Sequence, residues 1–160
     1  MGIWGARVVA VDDDLETLDR MRDLLGGAGA QLVAVHTPGE ALSTIVGVMP
    51  DVLLVDVATA GEDGLTLVRK MRTLSPEKGG RIPAATVSAG PATAARIEAW
   101  RRAGFQRHLA KPFAAPSLLA LVDELAGRVV ERRTSLLDRT QWPDHVRRER
   151  RREWRDVMAC

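Results

Sequence analysis

The chain has 160 residues, of which 46% are hydrophobic and 28% charged. This is ordinary globular composition for about one domain, which excludes a wholly disordered or collagen-like chain. The net charge is only +2, the single cysteine is Cys160, and no apolar run reaches the ~18 residues of a membrane span. An intrachain disulfide framework, a cysteine zinc site and a transmembrane helix are thereby excluded.

Arg7–Val11 is a short run rich in β-branched residues that ends in Asp12-Asp13-Asp14, and it reads as a buried strand. Leu15, Leu18, Met21, Leu24 and Leu25 then recur at helical spacing, with Asp14 placed to cap the helix and Gly26-Gly27 to end it. Gln31–Val35 reads as a second strand and Pro38–Val48 as a second helix, with Pro38 in a favoured early position. Asp51–Val57 is continuously apolar between its acidic residues, as suits a strand covered on both faces. Gly61–Gly64 reads as a loop. Leu65, Leu67, Val68, Met71 and Leu74 mark a third helix, and Lys78–Arg81 a loop. Ile82–Ser88 is a fourth strand, Ala92–Arg102 a fourth helix ended by Gly104, Phe105–Ala110 a fifth strand and Pro116–Val130 a fifth helix.

Five repeats of strand then helix predict an α/β fold with a parallel sheet and helices on both faces. About 125 residues suit a flavodoxin-like, doubly wound five-stranded sheet in the order 2-1-3-4-5 with five helices. Beyond it the composition changes. Gly127–Cys160 holds ten arginines against six acidic residues, marking a basic, helical C-terminal extension over 131–160. Asp144–Met158 reads as a charged helix opened by Pro143. It is expected as a solvated helix, as an extension that packs back through Trp142 and Trp154, or as a partner-binding or dimerising helix. Nucleic-acid binding is not expected, because Glu149 and Glu153 interrupt the arginines and no helix-turn-helix follows. The amino terminus lacks the basic region and apolar stretch of a secretory signal, so a cytoplasmic location is expected.

In an open parallel sheet, ligands bind beyond the carboxyl ends of the strands. The first strand ends in Asp12 and Asp13, the third at Asp56, the fourth at Ser88, and Lys111-Pro112 follows the fifth. Three carboxylates, a hydroxyl and an ammonium thus converge on one edge. Clustered carboxylates resist ionising together; a hard divalent cation relieves this, and oxygen-only ligands suit Mg²⁺. Lys and Ser beside such a metal can hold phosphoryl oxygens, and an Asp can itself be the nucleophile. Singly, these residues also suit helix caps and turns. Their joint placement at the strand ends is what points to phosphoryl chemistry.

The segments VVAVDDDLETL from Val8, PDVLLVDVATAGEDGL from Pro50, ATVSAG from Ala85 and AGFQRHLAKPF from Ala103 resemble, in order and spacing, the response regulator receiver domain of two-component signalling. The resemblance implies a receiver domain over residues 5–130, of the single-domain type. It implies Asp56 as phospho-acceptor, Asp13 as a direct Mg²⁺ ligand (Mn²⁺ can substitute), Asp12 as a supporting ligand and the Ala58 carbonyl as a further one. Ser88 would hydrogen-bond the phosphoryl group, Lys111 would pair with it, and Pro112 would follow a cis peptide bond. The donor would be a sensor histidine kinase or phosphotransfer protein. The output would be a downstream protein or a homodimer, engaged through the face of helix four, strand five and helix five. Such a protein is not an enzyme beyond catalysing its own phosphorylation and dephosphorylation.

Three residues depart from the family pattern. Thr59-Ala60-Gly61 replaces the usual Met-Pro-Gly, His108 stands where Tyr or Phe is commoner, and Ser88 stands for Thr. His108 is expected either as a half-exposed edge-strand residue or as a switch that moves with Ser88, with added pH sensitivity. The competing readings are a receiver-like interaction module that takes up no phosphate and an Asp-nucleophile phosphatase of the haloacid dehalogenase type. The latter lacks its second Asp, since Ala58 stands there. A dinucleotide site is excluded because Asp12-Asp13-Asp14 occupies the place of the glycine-rich turn.

Overall fold

A computed structural model describes residues 2–139. Strands β1 (Arg7–Val11), β2 (Gln31–Val35), β3 (Val52–Asp56), β4 (Ala84–Ala89) and β5 (Arg107–Lys111) alternate with helices α1 (Leu15–Gly27), α2 (Pro38–Val48), α3 (Val57–Thr73), α4 (Ala94–Ala103) and α5 (Ala115–Arg139). A short 3-10 turn, Pro76–Lys78, precedes β4. The sheet is parallel throughout, in the order β2-β1-β3-β4-β5. This is the flavodoxin-like topology expected from the alternation of elements.

Strand alternation divides the interior into two layers. Val8, Ala10, Leu54, Val87 and Leu109 face Leu18, Met21 and Leu25 of α1 and Leu118, Val122 and Leu125 of α5. Val9, Val11, Leu53, Val55 and Ala84 face Ala41 and Ile45 of α2, Val68 and Met71 of α3, and Trp100 of α4. Each fully buried Leu, Met or Ile contributes about 1.5–3 kcal/mol relative to exposure, which holds the helices flat on the sheet and fixes which strand ends lie side by side.

β4 and β5 each begin two residues later than the sequence reading, at Ala84 and Arg107, and β5 takes in Lys111; two differences are larger. Gly61–Gly64, expected as a loop, lies within α3, which begins directly after β3. No proline interrupts this stretch, and Asp56 accepts the Ala58 N–H at 2.8 Å, as an N-cap does. Each glycine costs about 1 kcal/mol in a helix, a cost offset where Leu67, Val68 and Met71 bury the same helix against the sheet. The other difference is at the far end. α5 runs past residue 130 to Arg139, because residues 128–139 contain neither glycine nor proline to stop it. The helix read over Asp144–Met158, with Trp142 and Trp154, lies outside the described residues.

At the amino-terminal end of the sheet, Arg72 of α3 fastens three segments. Its guanidinium donates to the carbonyls of Ile82 at 2.7 Å, Gly104 at 2.8 and 3.2 Å and Gly80 at 3.3 Å, and to Gln106 Oε1 at 3.3 Å. Burial lowers its pKa. Gly104 ends α4 at φ 115°, and a β-carbon there would press on the Arg72 side chain. No helix among the described residues is long and apolar enough to cross a membrane.

Candidate functional site

The carboxyl edge of the sheet gathers Asp12, Asp56 and Lys111 from three strand ends. β1 runs into Asp12, whose N–H still bonds the Val35 carbonyl at 3.0 Å. Asp12 Oδ1 accepts the Asp14 N–H at 2.9 Å. Asp14 in turn caps α1, accepting the Glu16 N–H and the Thr17 hydroxyl. The capping duty of the acidic triplet thus falls on Asp14, and Asp12 is left facing inward. Lys111 Nζ lies 2.6 Å from Asp12 Oδ2 and 2.5 Å from Asp56 Oδ2. Asp12 is 2% and Asp56 5% exposed.

Two buried carboxylates therefore share one ammonium. Burial is the main cause that raises the Asp12 pKa, and the charge of Asp56 adds to it against the hydrogen bond from Lys111. Burial pushes Lys111 down, but its hydrogen bonds to Asp12 and Asp56 outweigh that and hold it above the ordinary lysine value. The cluster keeps an excess of negative charge that a second cation would neutralise.

The donors fit Mg²⁺ in chemistry, being carboxylate oxygens with a surplus charge. Among the described residues no three acidic, His or Cys side chains close around one point, and Asp13 is exposed at the start of the β1–α1 connection. Two carboxylates with waters completing the octahedron is a coordination that Mg²⁺ accepts. Ala58 stands in the first turn of α3, where a helical carbonyl points along the axis toward the next turn.

Ser88 is fully buried in β4, in register with Ala110, and its Oγ has no hydrogen-bond partner. Such an orphaned hydroxyl suits an incoming oxyanion. Pro112 follows a cis peptide bond from Lys111.

His108 does not pair with Ser88. The register sets it opposite Thr86, whose hydroxyl lies 2.9 Å from Nδ1. The imidazole stacks on Trp100 with ring centroids 4.8 Å apart, Arg96 lies over the Trp100 ring, and Nε2 is buried without a partner. Burial, and then the charge of Arg96, hold His108 below the ordinary imidazole pKa. The folded state thus resists protonation more than the unfolded one. The stability this residue contributes is full above about pH 6.5 and is lost as pH falls through the folded value. Thermal midpoints of wild type and His108→Phe, measured from pH 8 to pH 5, are expected to diverge on the acid side, wild type falling faster. Parallel curves would remove His108 as a cause of acid sensitivity.

Sequence reasoning missed Thr86, Trp100 and Arg96 as neighbours of His108. The only signal was period two on β4, which sets Thr86 and Ser88 on one face; the partner of Thr86 depends on a register with β5 that spacing does not give.

A family model of the response regulator receiver domain matches residues 8–123. The chain belongs to the receiver domain family. Receiver domains are the phosphoacceptors of two-component signalling. Response regulator MprA of Mycobacterium ulcerans is 33% identical over 132 residues, covering 82% of this chain and 53% of that protein. The chain thus spans about half the length of the MprA relatives it matches. A response regulator structure from Chloroflexus aurantiacus superposes with a TM-score of 0.69 at 31% identity, covering 77% of this receiver and 98% of that chain. The receiver domain of sensor histidine kinase PA1611 from Pseudomonas aeruginosa, solved with magnesium coordinated in its active-site cleft, shares the fold at a TM-score of 0.67 and 24% identity, covering 77% and 98%.

Proposed function

We propose that this receiver accepts a phosphoryl group on Asp56 from the phosphohistidine of a sensor kinase or phosphotransfer protein, in a Mg²⁺-dependent reaction, and thereby alters the face formed by α4, β5 and α5. The observation that carries the reading is the pair of buried carboxylates, Asp12 and Asp56, held by Lys111 at the sheet's carboxyl edge. An oxygen of Asp56 attacks phosphorus as the P–N bond of the donor breaks. The nitrogen leaves with its electron pair, and an acyl phosphate forms. Asp12 and Asp56 are the buried groups that would hold Mg²⁺, and the exposed Asp13 that follows Asp12 would be a further ligand; the metal would supply charge neutralisation for the phosphoryl oxygens. Lys111 pairs with those oxygens, and the Ser88 hydroxyl donates its unused hydrogen bond to one of them. Ser88 and Lys111 lie on β4 and β5, where Thr86 bonds His108 and His108 stacks on Trp100 of α4. The face contacted by Trp100 is therefore where a change at Asp56 is read.

Incubation with acetyl phosphate and Mg²⁺ is expected to add one phosphoryl group, about 80 Da, to wild type and nothing to Asp56→Asn, read by intact mass. Addition to both would move the acceptor elsewhere. Addition to neither, together with no Mg²⁺ binding, would favour the interaction module that takes up no phosphate, in which Asp56 caps α3 and pairs with Lys111 as a structural residue.

A further inference from the structure

Lys111 is the last residue of β5, and the chain beyond it leaves the sheet. Pro112 has no N–H to donate, so the sheet's ladder does not continue to hold this turn. What grips it comes from α1. Arg20 Nη2 donates to the Phe113 carbonyl at 2.8 Å across 93 residues of sequence. The same guanidinium lies over the Phe113 ring, 5.0 Å from its centroid. Phe113 is itself buried in the α1/α5 layer.

These contacts close a circuit. Asp12 leads into α1; Arg20, about one and a half turns along that helix, holds Phe113; Phe113 lies two residues from Lys111; and Lys111 returns to Asp12 at 2.6 Å. The ammonium and the carboxylate it pairs with are thus tied twice, once directly and once through α1. A long lysine side chain loses conformational entropy when held, and this second tie fixes the backbone from which it reaches.

We propose that Arg20 is a positioning residue for Lys111, strapping the Lys111–Phe113 turn to α1 so that the ammonium stays aimed at the carboxylates and at the phosphoryl group they accept. The inference rests on the phospho-acceptor reading above. Removing one charge-assisted hydrogen bond and a ring contact is expected to slow phosphoryl uptake about tenfold.

The test follows uptake from acetyl phosphate with Mg²⁺ by intact mass against time. Arg20→Met is expected to be slower than wild type, and Arg20→Lys, which keeps a cation against the carbonyl and ring, to regain most of the rate. Arg22→Ala, which removes only an exposed pair with Asp19, is the control. In a Lys111→Met background, Arg20→Met is expected to cost nothing more, since the residue it positions is gone. The proposal is overturned if Arg20→Met matches wild type, or if it costs the same factor with and without Lys111. The side-chain nitrogen resonance of Lys111, measured by NMR with no phosphoryl donor, is an independent readout. It is expected to move toward a solvated lysine in Arg20→Met, and an unmoved signal overturns the strap. Wild type that takes up no phosphoryl group would defeat the acceptor reading alone, leaving this resonance to decide the strap.

Discussion

Arg72→Met is expected to lower the unfolding free energy by about 3 kcal/mol, the loss of charge-assisted hydrogen bonds plus the cost of leaving their acceptors unpaired. Arg72 reaches the carbonyls of Gly80, Ile82 and Gly104 and the amide oxygen of Gln106 from a single planar fork. Methionine keeps the stem and its packing but returns none of these bonds. Three segments lose their common anchor at once: the approach to β4, the end of α4 and the approach to β5. Arg72→Lys is expected to recover less than half of the loss, because one ammonium cannot span acceptors on both sides. Urea titration reads this as a lower midpoint at an unchanged slope. A loss below about 1 kcal/mol would mean that water satisfies the carbonyls as well as the guanidinium does.

Lys111→Met is expected to act on both chemistry and stability. Removing a cation aimed at transferring oxygens costs on the order of a hundredfold in rate. The same change leaves Asp12 and Asp56 buried beside one another without their shared partner, and breaking a buried pair from one side costs about 3 kcal/mol. Mg²⁺ held by the two carboxylates, as proposed, would replace the lost charge. Melting with and without Mg²⁺ is therefore expected to show a larger gain for the variant than for wild type. Equal gains would mean that the metal does not draw on these two carboxylates, and unaltered uptake would take Lys111 out of the reaction.

Much of this site was legible because the residues involved sit at the ends of strands with clear apolar runs. Asp12 follows VVAV and Asp56 ends VLLV, so the topology alone brings them together. The extent of α3 was not legible, because Gly61 and Gly64 carry a loop signature that packing of Leu67 and Met71 overrides. Arg72 and Arg20 look like solvent-facing charges on amphipathic helices. Their partners are backbone carbonyls, which have no residue-type signature, reached across 8, 10 and 32 residues in one case and 93 in the other. The contact of His108 with Thr86 depends on the register of β5 against β4, which propensity does not resolve.

The unbroken sheet separates two apolar layers that share no side chain. Substitutions on helices of opposite layers have no common partner and lie a sheet apart, so their effects on stability are expected to add. Each layer is then free to drift and repack on its own, Met71 with Ile45 on one side, Leu125 with Leu18 on the other. The carboxyl edge has no such freedom. There Asp12, Asp56 and Lys111 share hydrogen bonds across three strand ends, and a change in any one of them is felt by the other two.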